Sequence, residues 1–322
     1  MNILILGGGG FIGGFVAKNK IKNNHNVTIV DIKDTKDWYQ VHSEANNIVQ
    51  DASKYEPMDD IFKEGNFDEV YNFACNMGGI GFCELNQFDC GLSIEINTTT
   101  AKLAVKYRPK KIFYSSSACV YNETKQTSAD SAALKESDAW PAQPDLLYGL
   151  EKLFSERLYY YLGKEHGIDV RIARFHNVYG PLGTFEGGRE KAPAAAIRKV
   201  LEAQKSGNHR VNMWGDGLQT RSFMYIDDCV IGVNRLMESD FTDPINLGSD
   251  ELISIKGLHD MAADFAGIKV EYDYDLTAPQ GVRGRNSDNT LIKQVLGWAP
   301  SIPLKVGMEK TFNWIAEQMK DR

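Results

Sequence analysis

The sequence predicts an α/β fold, a doubly wound parallel sheet with a smaller, interleaved C-terminal lobe. Three observations carry that expectation: a glycine-rich turn directly after the first apolar run, short apolar runs alternating with amphipathic helical stretches, and a change of texture beyond Tyr179. The first run, "NILILG", reads as a buried strand, and "GGGGFIGG" follows it at once. Within that turn Gly7, Gly10 and Gly13 form GxxGxxG at the start of a predicted helix. Glycines there allow a tight turn and let the backbone approach a pyrophosphate, whose charge then faces free N–H groups and the positive helix end. This makes the sheet Rossmann-type. The second run, "NVTIVD", ends on Asp31, whose carboxylate suits the two hydroxyls of an adenosine ribose and repels a 2′-phosphate. NAD is therefore expected rather than NADP, although Lys33 stands close by. Asp51 in "QDAS" is a plausible adenine contact.

"EVYNFA", "KIFYSSS" and "VRIARF" continue the series of buried strands. "YGLEKLFSERLYYYLGKEHG" predicts a helix with Leu150, Leu153, Phe154, Leu158, Tyr161 and Leu162 on one apolar stripe and a stop near Gly167. Beyond Tyr179 the chain turns Gly-rich and Pro-marked, although "RSFMYID" and "DPINLGS" read as possible returns to the sheet. The expected division is a NAD-binding half over residues 1–178, completed by elements near 220–248, and a mainly substrate-binding lobe over 179–322.

Composition narrows the function classes. The 322 residues are 43% hydrophobic and 25% charged, with a formal net charge of −7. That describes a globular chain without the clustered Lys and Arg that grip nucleic acid or an anionic membrane. Five cysteines, with no CxxC pair, indicate neither a disulfide framework nor a zinc site, so no metal is expected. The opening "MNILIL" has no basic leader, and no apolar run approaches the ~18 residues of a spanning helix. A cytoplasmic protein is expected.

The chemistry is carried first by Tyr148 and Lys152, a YxxxK pair that helical spacing puts on one face. A phenol near pKa ~10 becomes a usable base at neutral pH only beside positive charge, which Lys152 and an oxidised nicotinamide would supply. Ser117 completes a hydroxyl, phenol and ammonium set suited to holding one sugar oxygen during hydride transfer. Cys119, two residues on in "YSSSACVY", reads either as a small buried hydrophobe or as an acid/base. His176 reads as structural, and Cys75, Cys83 and Cys90 as core or helix-face residues.

With these motifs on the page, the sequence resembles the extended short-chain dehydrogenase/reductases that act on nucleotide sugars. The likeness runs over nearly the whole chain, through "NMGGIGF", "SSACVY", "LKESDAWPAQP", "YGLEK", "RFHNVYGPLGT", "GGREKAPAA", "MWGDGLQTRSF" and "GVRGRNSDN". The resemblance implies a GDP-sugar substrate and a tightly bound, recycled NAD. It implies oxidation at C4 by Ser117, Tyr148 and Lys152, and Cys119 with Lys191 as an epimerising acid/base pair. Gly78, Asn177, Glu190, Lys199, Gln219, Arg221 and Arg285 match positions that hold substrate. Asn76 stands where the family pattern has Asp before MGG. A homodimer is expected, as is common in the family, through the helices near 97–107 and 148–167.

Three functions follow for test. One is an isomerase that returns its hydride each turnover. The second is another sugar-nucleotide enzyme of the same architecture: a 4,6-dehydratase, a 4-epimerase or an epimerase/reductase. The third is a nucleotide-sensing module without chemistry.

Overall fold

The computed structural model describes residues 1–320. Six strands of the central sheet come in chain order, β1 (Asn2–Leu6), β2 (Asn26–Asp31), β3 (Asn46–Val49), β4 (Glu69–Asn72), β5 (Lys111–Ser117) and β6 (Asp169–Phe175). The seventh, Ile245–Leu247, pairs beside β6, so the spatial order is 245–247, β6, β5, β4, β1, β2, β3. All of these pairings are parallel. "DPINLGS" thus returns to the sheet as expected. "RSFMYID" does not: Thr220–Ser222 pairs with Leu252–Ser254, and Met224–Tyr225 with Val178–Tyr179.

Strand periodicity decides which side each residue serves. In β1, Ile3 and Ile5 face one core while Leu4 and Leu6 face the other. The first core packs α1 (Phe11–Lys22) through Val16 and Ala17, together with helix Ile226–Glu238. The second packs α2 (Tyr55–Gly65) through Met58 and Phe62. Two short helices, α3 (Ile80–Leu85) and α4 (Gln87–Gly91), lead into α5 (Ser93–Tyr107), which joins the second core through Leu103 and Ala104. Next comes α6 (Leu147–His166), closed by Gly167 in the left-handed conformation.

The face of α6 that turns inward takes only half of the predicted stripe: Leu153 and Leu162 are buried and Leu158 packs against the second core. Tyr148, Glu151, Lys152, Ser155, Glu156 and Tyr159 are buried, while Leu150, Phe154 and Tyr161 are 49%, 50% and 43% exposed. The reason is polar. Facing the sheet, α6 satisfies a network in which Asn97 Nδ2 donates to Glu151 and Ser155, and Glu156 pairs with Arg174. Tyr159 stacks on Tyr114 with ring centroids 4.6 Å apart, so it belongs to the core rather than to the exposed surface.

The C-terminal lobe contains α7 (Ala192–Ser206), helices Ile255–Ala266 and Leu304–Gln318, and short pairings such as Arg210–Trp214 with Glu271–Asp275. No helix among the described residues is long and apolar enough to cross a membrane. The stretch 122–144 is tied to the C-terminal lobe: Gln126 is buried, its carbonyl accepts from the Arg283 and Gly284 N–H groups, and Leu134 bridges to Ser287.

Candidate active site

In a sheet of this order the first crossovers run to opposite sides of β1, which opens a crevice at the carboxyl ends of β1 and β4. Gly7 sits there with φ +77°, and a Cβ on it would lie 2.7 Å from the backbone nitrogen of Ala74. A Cβ on Gly13 would lie 2.4 Å from the Gly7 carbonyl, so only glycine lets α1 pack this close to the turn. Gly10 caps α1 without any side-chain hydrogen bond, leaving the helix end open to an anion. Asp31 ends β2, buried, with one carboxylate oxygen accepting from the Lys33 N–H at 3.1 Å. The Lys33 ammonium donates to the Gly9 carbonyl at 3.3 Å. Asp51 lies after β3 and accepts from the Ser53 N–H at 2.9 Å. The turn, open helix end and acid fit a dinucleotide.

Ser117 closes β5, and its hydroxyl accepts from the Cys119 N–H at 3.2 Å. Across from it, α6 presents Tyr148 and Lys152, both buried. The Lys152 ammonium donates to the Ser115 carbonyl at 2.9 Å and lies 5.8 Å from the Tyr148 ring centroid. Burial pushes the Tyr148 phenol well above its ordinary value; Cys75 and Cys119 push the same way, and a hydrogen bond with Ser117 opposes them. The protein alone therefore keeps this phenol protonated.

Cys119 lies half-buried in the single turn Ala118–Val120. Arg285 Nη1 donates to its sulfur at 3.1 Å, Nη2 donates to Asp145 at 2.8 Å, and Nε donates to Gln126. Burial opposes the Arg285 charge, but Cys119 and Asp145 outweigh it and hold the guanidinium above its usual range. Arg221 is deep in the cleft yet still partly open, and it donates only to the carbonyls of Thr220 and Gln280. Burial, aided by the Arg285 charge, pulls it down to about 9. Among the described residues it has no carboxylate partner. The two arginines matched to substrate-holding positions are thus differently engaged: Arg221 offers an unpaired cation, while Arg285 has its fork turned to Cys119 and Asp145.

Lys191 stands at the N-cap of α7, half-buried. It makes no hydrogen bond to Cys119 among the described residues, but both act on Cys83. That thiol is pushed up by burial, pulled down by the Gly78 backbone and the Lys191 charge, and pushed up by Cys119. Glu190, beside Lys191, gives one oxygen to Arg198 at 2.9 Å, and its other oxygen is buried without a partner. Gln219 donates to the Trp214 carbonyl, and its own side-chain oxygen is likewise orphaned. Lys199 lies 5.4 Å from the Trp214 ring and donates to the Asn212 carbonyl. Asn177 donates to the Ser222 carbonyl at 3.1 Å, and buried Gly78 accepts from the Cys83 thiol. Glu190 and Gln219 thus each keep a buried acceptor without a partner in the protein.

Asp145, Gln126 and Trp214 were not singled out by sequence. Asp145 stands three residues before Tyr148, but its partner Arg285 is 140 positions away, and no local pattern links them. His176 is structural, as expected: burial lowers it to about 3, and Nε2 meets Asn246 at 3.0 Å. No group of three or more metal-ligating side chains occurs among the described residues.

Residues 3–248 match the model of the NAD dependent epimerase/dehydratase family. The chain belongs to that family. Within it, a GDP-mannose 3,5-epimerase of Arabidopsis thaliana is 43% identical over 99% of this chain and 83% of its own length. GDP-mannose 3,5-epimerase 1 of Oryza sativa subsp. indica matches equally well, at 43% over the same shares. UDP-glucuronic acid decarboxylase 6 of Arabidopsis thaliana is 30% identical over 96% of this chain and 87% of its own. Among solved structures, a UDP-glucose 4-epimerase of Thermotoga maritima superposes with a TM-score of 0.89 at 23% identity, covering 99% of this chain and 100% of that one.

Proposed function

We propose that the protein is a nucleotide-sugar isomerase that converts GDP-mannose to GDP-L-galactose, GDP-L-gulose or both. The observation that carries this reading is the half-buried Cys119 thiol, held by Arg285 two residues from the hydroxyl of the Ser117–Tyr148–Lys152 set. Full-length identity of 43% to curated GDP-mannose 3,5-epimerases supports it.

In this reading Gly7, Gly10, Gly13, Asp31 and Asp51 hold NAD, with Tyr148 and Lys152 at its nicotinamide end. Bound there, NAD would supply a reversible hydride acceptor for the sugar's C4. Arg221 takes the diphosphate, and Glu190, Lys199, Gln219, Asn177 and Gly78 line the rest of the nucleotide-sugar pocket. Ser117 holds the C4 oxygen while Tyr148 accepts its proton. With C4 a carbonyl, the hydrogens on C3 and C5 become acidic. Cys119 removes a carbon-bound proton from one ring face, and Lys191 delivers a proton to the other, which inverts the carbon. Tyr148 finally returns its proton to the C4 oxygen, and no net redox change results.

Residues 1–178 with the helix and strand between 226 and 247 form the cofactor half, and the remainder forms the sugar-nucleotide half. The exposed Leu150, Phe154 and Tyr161 on α6 pair with a second copy, making a homodimer. Five free cysteines fit a reducing cytoplasm.

The test is incubation of the purified protein with a panel of GDP sugars in deuterated water, followed by NMR of the sugar. GDP-mannose should gain deuterium at C5, or at both C3 and C5, without added cofactor. A 4-keto-6-deoxy product would instead establish a dehydratase, and unchanged sugars would leave a binding module.

A further inference from the structure

The loop after β4 carries Asn76, Met77 and Gly78 and leads into α3, which carries Phe82, while the stretch before α7 carries Glu190 and Lys191. Arg189 spans the two. Its Nη1 donates to the Asn76 side-chain oxygen at 2.9 Å and to the Met77 carbonyl at 3.1 Å. The guanidinium carbon lies 3.8 Å from the Phe82 ring centroid, close enough for a cation–π contact. Its own carbonyl accepts from the Gly79 N–H at 3.2 Å. A Cβ on Gly79 would lie 2.5 Å from the Glu190 carbonyl, so the two backbones are in direct apposition.

Each anchor leads to the site. Phe82 packs against the cluster of Cys83, Cys90 and Tyr148 that Cys119 also joins. The Asn76 N–H is fixed by the Ser93 hydroxyl at 2.9 Å, at the start of α5. On the other side, Gly187 and Gly188 both have φ near +84° (+84° and +83°), with nothing within 4 Å of a Cβ on either. Packing therefore does not restrain the chain just before Arg189. Lys191 comes two residues later, with Glu190 held by Arg198. Beyond the backbone bond from the Gly79 N–H to the Arg189 carbonyl, two arginine side chains hold this segment, and Arg189 is the one that refers it to the Tyr148 and Cys119 side of the cleft.

We propose that Arg189 is a positioning residue: it latches the Lys191 segment onto the Asn76–Phe82 segment and so sets where the Lys191 ammonium stands relative to Cys119. The inference rests on the proposed roles of Lys191 and Cys119. Asn76 supplies an uncharged acceptor, so the arginine remains the latch's only charge and the loop adds no carboxylate beside the thiols.

Two measurements on the full chain test it. The first reads geometry alone: acetylation of Lys191 by acetic anhydride, followed by peptide mass spectrometry in the absence of substrate. Arg189→Ala should label Lys191 several-fold faster than wild type, with the other lysines unchanged, and Arg189→Lys should fall between. Unchanged Lys191 labelling in a folded Arg189→Ala protein overturns the latch. The second reads chemistry with GDP-mannose in deuterated water. An ångström-scale misplacement costs up to about 100-fold, so Arg189→Ala should lose about 10- to 100-fold in deuterium uptake. Reduction of the bound nicotinamide in a single turnover should stay within about 3-fold of wild type, because Tyr148 and Lys152 are untouched. In a Lys191→Ala background, Arg189→Ala should have no further effect, and an equal loss in that background overturns the positioning role. If wild type takes up no deuterium, the proposed reaction falls, while the labelling still decides whether the latch exists.

Discussion

Replacing Asp145 with Asn keeps the shape of the site and removes one charge from its best-buried ion pair. Asp145 and Arg285 are 10% and 8% exposed at their side chains and meet at 2.8 Å. Removing one partner of a buried pair costs about 3–5 kcal/mol, because the remaining charge is left uncompensated. Here Gln126 and Cys119 still accept from Arg285, which puts the expected loss at the lower end, ~3 kcal/mol. Arg221, already pulled down by burial and by Arg285, would then share the cleft with a second unpaired guanidinium. A GDP sugar brings the missing negative charge. Ligand at 100 times its Kd stabilises a protein by about 2.7 kcal/mol, and a tenfold tighter Kd adds about 1.4. Urea unfolding followed by tryptophan fluorescence, with and without GDP-mannose, measures both quantities. The variant should lose ~3 kcal/mol without ligand and regain at least ~1 kcal/mol more than wild type at the same ligand concentration. Ligand-free stability within about 0.5 kcal/mol of wild type, or an equal ligand increment, would refute the reasoning.

Tyr148→Phe should cut nicotinamide reduction and deuterium uptake together, by about 10²- to 10⁴-fold, as read by single-turnover absorbance and NMR. Cys119→Ser and Lys191→Ala should instead leave C4 oxidation in place and differ in which carbons exchange; wild-type exchange at both carbons in Cys119→Ser would make the thiol a spectator. Phe154→Glu on the exposed face of α6 should convert a dimer to a monomer by light scattering at micromolar concentration, with the fold unchanged by circular dichroism. His176 has a folded pKa of about 3, below its unfolded value of ~6.5, so unfolding takes up a proton between those limits and stability falls as pH falls through that window. His176→Gln should therefore flatten the dependence of urea-derived stability on pH by about 1.4 kcal/mol per unit between pH ~6 and ~4.

Much of the cofactor half was legible in the chain itself, because its signals are local. A strand that must bury both faces is apolar throughout, so β1 and β2 announce themselves, and a turn that admits only glycine shows its glycines in place. Tyr148 and Lys152 are one helical turn apart, so helix geometry alone makes them neighbours. Half of the α6 stripe was misread because periodicity reports a face without fixing how that face is turned toward the sheet. Glu151, Ser155 and Glu156 need partners that Asn97 and Arg174 supply, so these groups turn to the sheet alongside Leu153 and Leu162, and Leu150, Phe154 and Tyr161 are left at the surface. The sequence by itself determined the fold class, the glycine turn with its acid, and the Tyr–Lys pair, since each is settled within a few residues. Only the tertiary structure decided that Arg285 turns to Cys119, that Asp145 holds it there, and that Arg189 ties two loops together. Those contacts join residues 113 to 166 positions apart, and their energy exists only once the sheet has brought the segments together.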